Sequence, residues 1–127
     1  GTALAYTIAD RELPTRVTVS PLRGTGGGLL ANINRWRGQV GLSPIDDPAK
    51  QPAEQITLDN GLAGVLQFIG PVNPQTERSR GMIVVMVPRE GRTWFFKMMG
   101  SGESVGPLRE AFLQFVRSAR FQEPGLE

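Results

Sequence analysis

Between Gly24 and Leu42 the chain reads GTGGGLLANINRWRGQVGL, and the residue types suited to specific recognition gather there. Two kinds of chemistry are open to it. Arg23, followed by Gly26, Gly27 and Gly28, sets a guanidinium fork and a run of unhindered backbone N–H groups just ahead of a helix. Phosphate or carboxylate groups are held at such places by amides and the positive end of the helix dipole. The spacing is neither G-x-G-x-x-G nor a P-loop and no lysine follows, so the plainer reading is a flexible crossover into the helix. The second chemistry belongs to Asn32, Arg35, Trp36, Arg37 and Gln39. Trp36 shares an apolar stripe with Leu29, Ile33 and Val40, at i, i+4, i+7 and i+11. Asn32, Arg35 and Gln39 form a second stripe beside the indole, and Arg37 lies on the opposite flank. Amide and guanidinium groups around a partly covered indole suit recognition of a peptide or polar ligand. The same groups also serve to tie helix carbonyls and loop ends to a sheet, which is their commoner use.

Other candidates are weaker. Asp46-Asp47 is a pair of acids in a Pro-rich loop, where adjacent carboxylates point apart into water rather than gather a divalent ion. Arg78, Arg80, Arg89 and Arg92 are interspersed with Glu77 and Glu90 and read as a solvated mixed rim. Met82, Met86, Met98 and Met99 sit in strand patterns as core filler.

Composition removes whole classes of mechanism. The 127 residues contain neither histidine nor cysteine. Ser-His-Asp and Cys-His catalysis, His- or Cys-ligated zinc, disulfides and iron–sulfur clusters are excluded. Net charge is only +2, with Lys50 and Lys97 the sole lysines, so the high isoelectric point reflects arginine rather than a strong field. No polybasic run marks a nucleic-acid or anionic-membrane partner, and no apolar run is long enough to span a bilayer. No pair of acids has the spacing of a catalytic dyad, and we expect no catalytic residue, metal or cofactor. Gly1 opens almost directly onto a strand pattern, which we read as a processed end whose targeting segment has been removed.

The elements that must position these residues alternate along one domain, residues 1–127. Leu4, Tyr6 and Ile8, then Val17 and Val19, predict two half-buried strands. A helix follows from about Leu29 to Val40 with Gly41 as its stop. Ser43 to Ala53 is a surface connection. Ile56 and Leu58 lead into Asn60-Gly61, a type I′ hairpin signal, and then a strand from Leu62 to Ile69. Gly70 to Ser79 predicts an exposed, mobile loop. Met82–Val87 and Thr93–Met99 are almost unbroken apolar runs, the mark of strands covered on both faces. Leu108, Phe112, Phe115 and Ala119, broadened by Val105 and Val116, predict a second helix, capped by Ser101 or Ser104 with Pro107 in its first turn. Glu110, Gln114 and Arg117 face outward. The order is β-β-α-β-β-β-β-α, an α+β fold with a mainly antiparallel sheet between helices.

The stretch Asn32-Ile33-Asn34-Arg35-Trp36-Arg37-Gly38-Gln39-Val40-Gly41-Leu42 resembles a motif of uncharacterised bacterial proteins, common in planctomycetes, that are predicted to be secreted or lipoproteins. Thr93-Trp94-Phe95-Phe96-Lys97 and Phe115-Val116-Arg117-Ser118-Ala119-Arg120-Phe121 resemble their C-terminal half, and the element order is similar to the PsbP-like α/β/α sandwich. The Pro-Gly-Trp-like opening segment of that family has no counterpart here. The resemblance implies an exported domain, periplasmic or lipid-anchored, without enzyme activity, whose partner is another protein or an envelope component. Fold alone transfers no function. The rival expectation is a small module that binds an anionic ligand at the glycine run. Neither reading specifies an oligomeric state.

Overall fold

The computed structural model describes residues 4–8, 15–23, 28–59 and 61–119; for residues 4–8 and for Leu22 and Arg23 the description is of the backbone alone. Six strands form one sheet: β1 (Leu4–Ile8), β2 (Thr15–Arg23), β3 (Ala53–Leu58), β4 (Gly61–Ile69), β5 (Arg80–Arg89) and β6 (Arg92–Ser101). Helix α1 (Leu29–Gln39) follows β2, and α2 (Gly102–Ser118) follows β6. The spatial order is β1-β2-β6-β5-β4-β3, and every neighbouring pair is antiparallel. β3 to β6 run as a meander from the far edge. The connection through α1 carries the chain to that edge, so β6 returns to pair with β2. The expected α+β order, with the sheet between helices, is the one adopted.

The period of two along each strand divides the core. Val17, Val19, Val65, Ile83, Val85, Phe96 and Met98 line one face, beneath Val105, Phe112, Leu113 and Val116 of α2. Leu66, Phe68, Met82, Val84 and Phe95 line the other, beneath Ile33, Trp36 and Val40 of α1. β5 and β6 lie at the centre of the sheet, so both of their side-chain sets are covered. Met82, Ile83, Val84 and Val85 are wholly out of solvent. Each such aliphatic side chain contributes about 1.5–3 kcal/mol relative to exposure.

Local chemistry sets the ends of the elements. α1 stops in a Schellman arrangement: Gly41 (φ 88°) donates its N–H to the Gly38 carbonyl at 3.2 Å, and Leu42 donates to Arg37 at 2.8 Å. Leu42 then packs on the α1-side core. The Ser101 hydroxyl accepts from the Ser104 N–H at 3.1 Å and caps α2, with Glu103 in the first turn. This start moves Pro107 from the expected first turn into the second, where it forgoes a backbone bond to the Glu103 carbonyl at an exposed position. The buried stripe of α2 is also rotated from the expected one. Val105, Phe112 and Val116 form its centre, with Leu113 buried at one edge and Leu108 and Phe115 half-buried at the other.

The β3–β4 link differs from expectation. Gly61 is the first residue of β4, opposite Leu58, so it belongs to the ladder rather than to the turn, and Asn60 lies outside the described residues. Two positive φ angles, the requirement of a type I′ turn, occur instead at Glu90 (34°) and Gly91 (81°), between β5 and β6. The 70–79 segment is largely exposed, as expected, and carries internal hydrogen bonds. Asn73 donates its N–H to the Arg78 carbonyl at 2.7 Å, and its own oxygens accept from Glu77 and Gln75. Pro21 lies near the end of β2, opposite Trp94 of β6 and past Leu4↔Val19, the last described β1–β2 pair.

Candidate functional site

α1 brings the polar cluster together but divides it between two flanks with different tasks. On the β3–β4 side, Asn34 acts as a substitute backbone. Its amide donates to the Ile45 carbonyl at 2.9 Å, and its oxygen accepts the Ile45 N–H at 2.8 Å. Arg37 donates to the Ser43 carbonyl and to Gln51 Oε1, both at 2.7 Å. Gln51, itself buried, passes the connection on to the Gln67 carbonyl of β4 at 3.1 Å. Thus Arg37, grouped from the sequence with the recognition residues, is committed to holding the connection after α1 against the sheet.

Trp36 is not the partly covered indole the helix pattern suggested. It is 2 % exposed, stacked edge-on against Phe95 at 5.4 Å and tilted on Phe68 at 6.2 Å. The reason is the sheet beneath it: aromatic rings on β4 and β6 converge on one point of the helix, and Arg35 lies across the indole with its Cζ 5.6 Å from the ring centroid. Asn32 is 1 % exposed and donates its amide to the Gly28 carbonyl at 3.0 Å, tightening the first turn of α1. A ligand cannot reach the indole without opening the core, whereas Asn32, although almost wholly buried, borders the hollow at the start of α1.

Gly28, the residue before α1, has φ 95° and no side-chain cap stands there. Gly26, Gly27 and the Arg23 side chain, the rest of the expected anion loop, lie outside the described residues. Near the same helix end, Leu29, Leu62, Met86 and Phe95 line an open hollow of about 370 Å3. At the other end a cleft of about 740 Å3 separates Gly38–Gly41 from Pro71–Thr76 and Arg78–Arg80. Asp46 pairs with Lys50 at 2.6 Å, whereas Asp47 caps the short 3-10 turn Pro48–Lys50 by accepting from the Ala49 N–H. The two acids therefore serve separate partners.

The opposite flank of α1, toward β6 and β2, has a different character. Arg35 and Gln39 are exposed there, one turn apart. Gln39 Oε1 accepts from Lys97 Nζ at 3.2 Å. Lys97 stands on the α1 side of β6 between Phe95 and Met99, opposite Thr18 of β2, and Arg16 is opposite Met99. Half-burial pushes the Lys97 ammonium below its ordinary pKa, with Arg35 and then Arg16 adding like-charge repulsion. Arg16, Thr18 and Lys97 were missed in the sequence because strands were judged by their apolar residues. The available signal was Lys97 itself, the one charge inside TWFFKMM, a strand expected to be covered on both faces. No protein-family model matches the chain, and no curated protein matches it.

Proposed function

We propose that this chain is a non-catalytic binding domain of the bacterial cell envelope, exported and acting in the periplasm or from a lipid anchor. Recognition runs through the flank of α1 that bears Arg35 and Gln39, together with the adjoining face of β6 and β2. The observation that carries this reading is the division of the polar cluster. Asn32, Asn34 and Arg37 bond to backbone carbonyls and to buried Gln51, whereas Arg35 and Gln39 stand exposed, Gln39 accepting from Lys97, beside a strand that no described helix covers on this side. Exposed polar groups on a rigid helix, backed by a close-packed aromatic core, are a pre-organised contact surface. The envelope assignment and the PsbP-like kinship rest on the helix motif and the element order. Among the described residues, no helix is long and apolar enough to cross a membrane, so tethering would come from elsewhere.

The test is co-sedimentation of the purified domain with a bacterial envelope fraction, comparing wild type with the Arg35→Ala, Gln39→Ala double variant. Both variants should melt within a few degrees of each other, because neither side chain is buried. Retention of wild type and its loss in the double variant is the expected result. Equal retention of both, or none of either, removes the reading, and ready unfolding of the double variant makes these side chains structural.

A further inference from the structure

We infer that the open half of the α1-side sheet face is a phosphate-binding site, with Arg16, Lys97 and Arg35 as its cations and Thr18 and Gln39 as neutral donors. This rests on the binding reading above and names the ligand class of the same surface. Position is the first argument. Thr18 is directly opposite Lys97 in the β2–β6 ladder, and Arg16 is two residues along on the same face. That diagonal puts their backbones about 7–8 Å apart, within reach of long side chains. Arg35 approaches from α1, and Gln39 fixes Lys97 Nζ at 3.2 Å, leaving the remaining ammonium hydrogens and its own amide NH2 to donate.

The second argument is charge. Ion pairs among the described residues join Lys50 to Asp46, Arg109 to Glu54 and Arg117 to Glu110, and none reaches Arg16, Arg35 or Lys97. Two guanidinium groups are thus gathered around a half-buried lysine, and among the described residues no carboxylate is paired with any of the three. Such a grouping costs the empty protein stability and is relieved when an anion arrives, the pattern expected where a site overrides local preference. The third is access. α1 lies over the β4–β6 half of this face, and no described helix covers β2, where Arg16 is exposed and Thr18 and Ser20 are half-exposed. Two guanidinium forks, one ammonium and a hydroxyl match a tetrahedral dianion better than a single carboxylate. The phosphate is either free or carried on a lipid headgroup.

The experiment is a 1H–15N NMR titration of the whole chain with sodium phosphate against sodium chloride at equal ionic strength. A parallel arm uses vesicles of zwitterionic phospholipid with and without a phosphatidic-acid component. Lys97→Met, Arg16→Gln and a surface control, Lys50→Gln, are run alongside. Phosphate is expected to move amides of residues 16–20, 95–99 and 35–39, with binding weakened at least about tenfold in Lys97→Met and Arg16→Gln and unchanged in the control. Binding to the acidic vesicles alone, lost in the same two variants, assigns the phosphate to a headgroup. Shifts confined to residues 28–31, shifts that survive both variants, or no response in either arm at about 10 mM phosphate overturn the site. If the envelope retention described above is lost with Arg35 and Gln39 while phosphate and vesicles leave the chain unmoved, the surface stands and its ligand is not a phosphate. If both experiments fail, the surface itself is wrong.

Discussion

Arg35 and Arg37 are two residues apart on one helix, yet removing them should have unequal consequences. Arg37→Ala releases the Ser43 carbonyl and Gln51, and hydrogen bonds to a charged group are worth about 1.5–3 kcal/mol. Urea unfolding should report a loss of that order. Arg35→Ala gives up one cation–π contact at the surface and should cost no more than about 1 kcal/mol. Trp36→Ala should be the most damaging of the motif substitutions, about 3–5 kcal/mol, because the cavity it leaves is walled by Phe68 and Phe95. Lys97 carries a pH signature. Its folded pKa lies below the ordinary 10.5, owing to burial and then to Arg35 on α1 and Arg16 on β2. Between the lowered folded value and 10.5 the unfolded chain binds more protons, so stability rises with pH across that window. Thermal melts of Lys97→Met should lack this rise relative to wild type. At neutral pH the variant should be at least as stable as the parent, since the unfavourable charge is gone.

At the scale of elements, stability depends on a few backbone junctions. Gly70 donates its N–H to the Arg80 carbonyl at 2.8 Å, and a Cβ there would overlap the Val40 carbonyl oxygen. Gly70→Ala therefore has to part the end of α1 from the β4–β5 junction, with an expected loss of about 1–3 kcal/mol in chemical denaturation. Ser101→Ala removes the α2 cap for about 1 kcal/mol. Most elements were legible in the sequence because their signals are local: Gly41 after a 3.6-residue stripe, alternation in β2, and unbroken apolar runs in β5 and β6. What escaped depends on partners far along the chain. The rotation of α2 that buries Leu113 is set by how the helix lands on the sheet. The I′ turn falls at Glu90-Gly91 because the Arg89↔Arg92 register demands a two-residue link. The candidate surface was half legible. Arg35 and Gln39 stood out on their helix, but Arg16 and Lys97 joined them only through a strand pairing that no local pattern announces.

For the whole molecule, the central position of β5 and β6 predicts an order of protection. Amides of Met82–Val87 and Phe95–Met98 should exchange with solvent only through global unfolding, whereas those of β3, an edge strand with mostly exposed residues, should open locally. The cladding is unequal. Seventeen-residue α2 lies along its face, while α1 has eleven, and no described helix lies over the α1 side of β2. The β2–β6 ladder has a further property. It joins an N-terminal hairpin to a meander that is otherwise contiguous in sequence, so it is the seam closed across the longest stretch of chain. Arg16 and Thr18 belong to one side of that seam and Lys97 to the other. Anything gripped by all three fastens the hairpin in place, and by mass action the hairpin's departure must in turn eject whatever is gripped.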